Sequence, residues 1–187
     1  MKRYELLKSL IPLFYDALVV CNIGVPSQEL YSLDDRENYF YMLGSMGMCS
    51  SIGLGLALST ERTVIAVEGD GAILMNLGSL ATIANNAPNN FILLIVDNGT
   101  YGSTGDQRTY TQGKTSLFKI AQGAGCENVS ECNGKDVFDA LKEAVKSMKP
   151  SVIVAKVEPG NEPVAVIPLS SVWIRDRFKK AVLQSME

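Results

Sequence analysis

Three short segments of this chain, residues 64–67, 91–96 and 152–155, are apolar at every position. A strand with one wet face alternates apolar and polar residues. A strand apolar on both sides must be covered on both, as in parallel sheets sandwiched between helices. The rest of the chain supplies the covers. Residues 4–15 place Tyr4, Leu6, Leu7, Leu10, Ile11 and Phe14 at helical spacing. The small residues of 47–59 suit a helix packed tightly on a sheet, and 76–86, 116–124, 136–148 and 170–186 also read as helices. Strands are expected at 17–21, 39–42, 63–68, 91–96, near 127–129 and at 150–157, and Ser27 is placed to cap a short helix through Tyr31. This alternation predicts an α/β fold, a doubly wound parallel sheet. With 187 residues, no internal repeat and no low-complexity linker, one domain over 1–187 is expected.

In open sheets of this kind ligands bind at loops following the carboxyl ends of strands. Three polar or glycine-rich loops fall there, at 22–27, 69–72 and 97–105. Gly69-Asp70-Gly71 directly follows an apolar strand, and its glycines let a ligand approach the backbone. The next such strand ends in Asp97-Asn98-Gly99-Thr100-Tyr101-Gly102. Asp70 and Asn98 are 28 positions apart, one strand–helix–strand crossover, which sets their oxygens side by side on neighbouring strands. A carboxylate, an amide oxygen and a nearby main-chain carbonyl suit the hard cation Mg²⁺, with phosphate oxygens and water completing its shell. Gly-Asp-Gly and Asn-Gly are each common turns when alone. Their occurrence after two apolar strands one crossover apart is the informative feature.

Composition removes several function classes. A formal charge of −3 and a pI near 5.1 argue against nucleic-acid binding. No apolar run approaches the ~18 residues that span a bilayer. Charges occur throughout Met1-Lys-Arg-Tyr-Glu-Leu-Leu-Lys8, with no signal-peptide core, so a cytoplasmic location is the expectation. The chain contains no histidine, which excludes Ser-His-Asp or Cys-His chemistry and histidine metal sites carried on this chain alone. Cys21, Cys49, Cys126 and Cys132 form no C-x-x-C pair and no zinc spacing, and read as small buried thiols.

Gly69-Asp70-Gly71 followed by Asp97-Asn98 resembles the thiamine diphosphate motif, in which GDG precedes Asn by about 25 residues. Gly44-Ser45-Met46-Gly47 resembles the segment that holds the cofactor's pyrimidine in those enzymes, and the whole chain resembles their diphosphate-binding domain. More narrowly, Asn22–Ser27, Tyr41–Gly47 and Asp97–Gly105 resemble the beta subunits of sulfopyruvate decarboxylases, with phosphonopyruvate decarboxylases as close relatives. The resemblance implies that Asp70, the Asn98 side chain and the Thr100 carbonyl hold Mg²⁺. It implies that main-chain groups near Gly24, Gly69, Gly71, Ala72, Gly102 and Ser103 contact the diphosphate. The Gly44 carbonyl, with Ser45 beside it, would accept from the cofactor's 4′-amino group, and Met46 would wedge between its two rings.

Two departures stand out: Asp97 replaces the first Asn of the usual pair, and Ala72 stands where many relatives have Ser. The implied activity is that of a lyase of coenzyme M biosynthesis converting sulfopyruvate to sulfoacetaldehyde and CO₂. The implied partner is an alpha subunit carrying the pyrimidine-binding domain and the activating glutamate, in a hetero-oligomer. Arg108, in the loop after the metal ligands, is a candidate for the substrate's acid group. Three rival readings are weaker. Gly53-Leu-Gly55 resembles part of a dinucleotide fingerprint but lacks the third glycine. The 2-oxoacid:ferredoxin oxidoreductases share the thiamine motif, but the cysteine spacing does not suit an iron–sulfur cluster. A non-catalytic structural subunit would have no reason to keep the Asp70 and Asn98 pair.

Overall fold

The computed structural model describes residues 1–184. Eight helices and eight strands alternate through most of the described chain. They begin with α1 (Arg3–Phe14), β1 (Leu18–Cys21), α2 (Val25–Leu33), β2 (Tyr39–Tyr41) and α3 (Cys49–Ala57). β3 (Val64–Gly69), α4 (Asp70–Met75), α5 (Gly78–Asn86) and β4 (Phe91–Asp97) follow. A two-stranded antiparallel hairpin, β5 (Thr100–Tyr101) and β6 (Gln107–Arg108), then precedes α6 (Leu117–Gly123). β7 (Asn128–Asn133), α7 (Asp136–Ser147), β8 (Ser151–Lys156) and α8 (Ser171–Leu183) complete the described residues.

Six strands form one sheet in the order β2-β1-β3-β4-β8-β7, every neighbouring pair parallel. The three segments apolar on both sides, in β3, β4 and β8, are adjacent in its interior, as their lack of a polar face requires. Alternate residues feed two cores. Ile65, Val67, Ile92 and Leu94 pack with Leu6, Leu10 and Phe14 of α1, Leu30 of α2 and Leu141 of α7. Val64, Ala66, Leu93 and Ile95 pack on the other face with Leu54 of α3, Leu80 of α5, Leu117 of α6 and Phe178 of α8. Each such aliphatic side chain, fully buried, contributes about 1.5–3 kcal/mol against exposure.

The chain winds outward from β1 to β2, then returns past β1 to β3 and continues the other way. β1 and β3 are hydrogen-bonded neighbours whose connections therefore diverge, with Cys21 opposite Val67. This is the topological switch point, where the diverging connections leave a crevice at the carboxyl edge.

Four local expectations are corrected. Ser27 is not a cap: α2 starts two residues earlier behind Gly24 (φ +77°), and Ser27 Oγ donates to the Asn22 carbonyl at 2.7 Å. Gly69-Asp70-Gly71 is not a free loop, because β3 runs through Gly69 and α4 begins at Asp70. The β7 strand is longer than its sequence suggests, and its outer position explains its weakly apolar pattern. Cys126 and Cys132 are half-buried rather than enclosed, while Cys21 and Cys49 are buried, and all four are free thiols. The helix expected over 170–186 is present to Leu183, and residues 185–186 lie outside the described residues.

The rival dinucleotide fingerprint is accounted for by packing. Gly53 lies inside α3, where a Cβ would stand 2.8 Å from the Ala66 Cβ and 3.2 Å from the Phe91 ring. Glycine there lets the helix backbone sit directly on β3.

Candidate active site

Three loops leave the carboxyl edge at the switch point and enclose a cavity of about 220 Å³. Asn22–Pro26 follow β1, Gly69–Ala72 join β3 to α4, and Asn98–Thr104 follow β4. Met46, on the connection from β2 to α3, forms a further part of the wall. Gly69 pairs with Val96 in the sheet, so Asp70 and Asn98 leave adjacent strand ends. Both side chains are buried, and both line the cavity with Thr100. Asn98 is fixed locally: its Oδ1 accepts from the Thr100 main-chain N–H at 3.1 Å, while its Nδ2 has no partner. The left-handed backbone at Gly99 (φ +70°) then turns the chain into the hairpin.

Asp70 is held by hydroxyls that the sequence did not single out. Thr109 Oγ1 donates to Asp70 Oδ2 at 2.5 Å, and Thr111 Oγ1 approaches the same oxygen at 3.2 Å. Thr111 Oγ1 also lies 2.8 Å from Asp97 Oδ1. Burial pushes the Asp70 carboxyl above its usual range, and the neighbouring Asp97 adds to this, while the two threonine hydroxyls oppose it. Asp97 is in turn paired with Lys156, its register neighbour at the end of β8. The departure from Asn at position 97 therefore brings a carboxylate together with its own counter-ion.

Glu68, the penultimate residue of β3, and Asn22, directly after the neighbouring β1, line the same cavity. Glu68 Oε2 accepts from the Ser50 N–H at the start of α3 at 3.0 Å, and burial pushes this carboxyl up to about 7. Glu68 Oε1 and Asn22 Oδ1 are enclosed without a partner. With Asn98 Nδ2, three unpartnered polar atoms thus lie on residues that line one cavity. Buried polar groups are normally satisfied, so such a cluster marks a place where a ligand or water belongs.

Of the sequence candidates, Gly24, Met46, Gly69, Asp70, Gly71, Ala72, Asn98, Thr100, Gly102 and Ser103 all line the cavity. Gly44 and Ser45 are exposed and lie outside its wall, with Ser45 in a left-handed conformation (φ +60°). Arg108 is exposed on β6 opposite Thr100, and it makes no ion pair among the described residues. Thr109, Thr111, Lys156, Glu68, Arg3 and Asn161 were not among the sequence candidates, and Asn22 was named there only within the 22–27 loop. Only strand order and loop folding bring them together.

No cluster of three His, Cys, Asp or Glu side chains able to hold a metal occurs among the described residues. A cation here would need amide, carbonyl and ligand oxygens beside Asp70. Likewise, no described helix is long and apolar enough to cross a membrane.

Residues 22–155 match the family described as thiamine pyrophosphate enzyme, C-terminal TPP binding domain. The chain is 49% identical over 180 residues to the sulfopyruvate decarboxylase subunit beta of Methanococcus maripaludis, covering 96% of this chain and 97% of that protein. It is 46% identical over 185 residues to the subunit of the same name from Methanocaldococcus jannaschii, covering 98% of each. The phosphonopyruvate decarboxylase of Streptomyces viridochromogenes is 44% identical over 147 residues, which span 78% of this chain but 37% of that one. Among solved structures, the thiamine diphosphate-dependent 4-hydroxybenzoylformate decarboxylase of Rhodococcus jostii RHA1 shares the fold with a TM-score of 0.70 at 21% identity. The match covers 87% of this chain and 33% of that enzyme.

Proposed function

Because the chain belongs to the thiamine pyrophosphate enzymes, like the sulfopyruvate decarboxylase beta subunits it resembles over nearly its full length, we propose that it is the diphosphate- and Mg²⁺-binding subunit of a two-subunit sulfopyruvate decarboxylase. The observation that carries this reading is the single cavity in which Asp70, Asn98, Thr100, Met46 and the glycines at 24, 71 and 102 converge. In this reading residues 1–187 are one diphosphate-binding domain. Its partner is an alpha subunit that contributes the pyrimidine-binding domain and the activating glutamate. The assembled enzyme works in the cytoplasm on a small 2-oxoacid.

The residues present fit the cofactor. Asp70 offers a buried carboxylate, Asn98 an amide oxygen already turned by its bond to Thr100, and Thr100 a main-chain carbonyl. That donor set, completed by phosphate oxygens and water, would suit Mg²⁺. Gly71 packs against the Tyr101 ring so closely that a side chain would clash, which keeps the backbone bare beside Asp70. Gly24, Ala72, Gly102 and Ser103 present main-chain groups to the diphosphate, with Gly69 at the strand end. When bound, thiamine diphosphate supplies the nucleophilic carbon and the electron sink for loss of CO₂. This chain's task is to bind and orient. Gly44, with Ser45 beside it, offers its carbonyl to the 4′-amino group. Met46 would lie against the cofactor's rings from within the cavity wall, an apt role for an unbranched, polarizable side chain.

The testing experiment is co-expression with a sulfopyruvate decarboxylase alpha subunit and measurement of CO₂ release from sulfopyruvate and phosphonopyruvate. Release from sulfopyruvate is expected to dominate; release from phosphonopyruvate alone would reassign the substrate. In that complex, Met46→Ala is expected to lower kcat by up to about a hundredfold, the scale set by ~1 Å misplacements of reacting groups. Cofactor affinity, measured by calorimetry, should change far less, because metal and diphosphate contacts dominate binding. Equal losses in both would reduce Met46 to packing.

Arg108, an exposed guanidinium on the hairpin, is proposed to meet the sulfonate when the alpha subunit covers this edge. A charge-assisted hydrogen bond is worth ~1.5–3 kcal/mol, so Arg108→Ala should raise KM for sulfopyruvate about tenfold to a hundredfold. A 2-oxoacid with an uncharged tail should be affected less. An equal change for both substrates would remove Arg108 from the substrate site.

A further inference from the structure

Arg3 lies in the first turn of α1, far in sequence from every motif residue. Its side chain is nevertheless buried and forms part of the cavity wall. Nε donates to Glu29 Oε2 at 2.7 Å, and Nη2 donates to Glu29 Oε1 at 3.0 Å and to Asn161 Oδ1 at 2.9 Å. Glu29 is fully enclosed in α2 and also accepts from the Glu162 N–H at 3.0 Å. Asn161 passes the connection on, with its Nδ2 donating to the Gly102 carbonyl at 2.8 Å. A Cβ on Gly102 would stand 2.7 Å from Asn161 Oδ1, and one on Gly24 would stand 2.9 Å from Ser103 Oγ. Glu29, Arg3, Asn161 and the Gly102–Ser103 turn therefore form one connected unit, at the end of the cavity assigned above to the diphosphate.

A guanidinium has five N–H donors in a rigid plane. Three of them are taken by Glu29 and Asn161. The two on Nη1 make no hydrogen bond among the described residues, and Nη1 is not among the enclosed atoms that lack a partner. Nη1 therefore keeps some exposure, on a side chain that is otherwise buried and forms part of the cavity wall. We propose that Arg3 is a cofactor-binding residue whose Nη1 donates to the diphosphate, while Glu29 and Asn161 fix the plane of the fork. The proposal rests on the reading of this cavity as a thiamine diphosphate site. Its chemistry is that of a diphosphate ester: one divalent cation leaves residual negative charge, and a weakly hydrated, permanently charged fork suits a buried phosphate oxygen.

The alternative is a structural staple joining α1 to α2. Arg3→Met alone would leave the Glu29 carboxylate buried without its partner and could destabilise the fold for that reason. The test is therefore the double variant Arg3→Met/Glu29→Gln, beside Arg3→Lys, each in complex with the alpha subunit. The melting temperature without cofactor and the thiamine diphosphate dissociation constant are read separately, by calorimetry at fixed Mg²⁺. The double variant is expected to melt close to the wild type yet bind thiamine diphosphate about tenfold to a hundredfold more weakly. Arg3→Lys, which keeps the charge, should lose less affinity.

Wild-type affinity in the double variant would overturn the proposal, as would equal affinities for the lysine and methionine forms. If the wild-type complex itself fails to bind thiamine diphosphate, the reading of the cavity fails instead.

Discussion

Asp70→Ala is expected to yield a folded chain that has lost Mg²⁺-dependent binding of thiamine diphosphate. Asp70 is buried, and burial already holds its carboxyl above the usual range, so the carboxylate costs the unliganded protein desolvation. What it gains there is two threonine hydroxyls bonded to one of its oxygens. Removing it should therefore change the melting temperature of the cofactor-free protein little. Its effect falls on the cation, which would lose the only proposed charged protein ligand. Removing one member of a buried ionic pair costs ~3–5 kcal/mol, roughly two hundredfold to five thousandfold in affinity. Calorimetry of the complex with and without Mg²⁺ checks this. A folded Asp70→Ala protein with undiminished, Mg²⁺-dependent affinity would show that the metal lies elsewhere.

The isolated chain is expected to bind thiamine diphosphate weakly and to release no measurable CO₂ from sulfopyruvate. Two carboxyls line its cavity: Asp70 is assigned to the proposed metal, and Glu68 holds the start of α3 through Oε2, so its unpartnered Oε1 would have to serve alone as acid and base. The chain has no histidine to serve as an alternative acid or base. A positioned acid or base contributes roughly a hundredfold to ten-thousandfold, and the shielding of the cavity by a second domain adds to that. Adding the alpha subunit should restore turnover in proportion to the complex formed. Robust turnover by the purified chain alone would contradict the division of labour.

The charges around the cavity bear on the same question. Lys156 neutralises Asp97, Thr111 connects Asp97 to Asp70, and Arg3 reaches the cavity through its pairing with Glu29. The charges that prepare the site thus come from α1, α2, β4 and β8, not from the Gly-Asp-Gly segment alone. A buried Asp97 without Lys156 would repel the second carboxylate at Asp70, and this explains how the chain accommodates an acidic residue where the usual motif has asparagine.

Sequence by itself determined the fold class and the place of the candidate site on the sheet. Segments 64–67, 91–96 and 152–155 lack a polar face, and only a covered parallel sheet can bury them. Gly69-Asp70-Gly71 and Asn98 follow two of those strands, so their meeting at the carboxyl edge follows from chain direction and one crossover. Tertiary structure decided the rest. The strand order placed β8 beside β4 and thereby matched Lys156 to Asp97, a pairing invisible in sequences 59 residues apart. The folding of the hairpin brought Thr109 and Thr111 back onto Asp70, although neither belongs to a periodic segment. Ser27 was misread because its hydroxyl bonds to carbonyls at the end of β1, a partner that local cap logic does not consider. In the sequence Arg3 is only one of the charges spread through residues 1–8; α1 packing on α2 and the approach of Asn161 bring it into the cavity wall. Local periodicity records which side of a segment avoids water. It cannot record which distant polar atom will satisfy a buried charge, because that depends on which elements become neighbours.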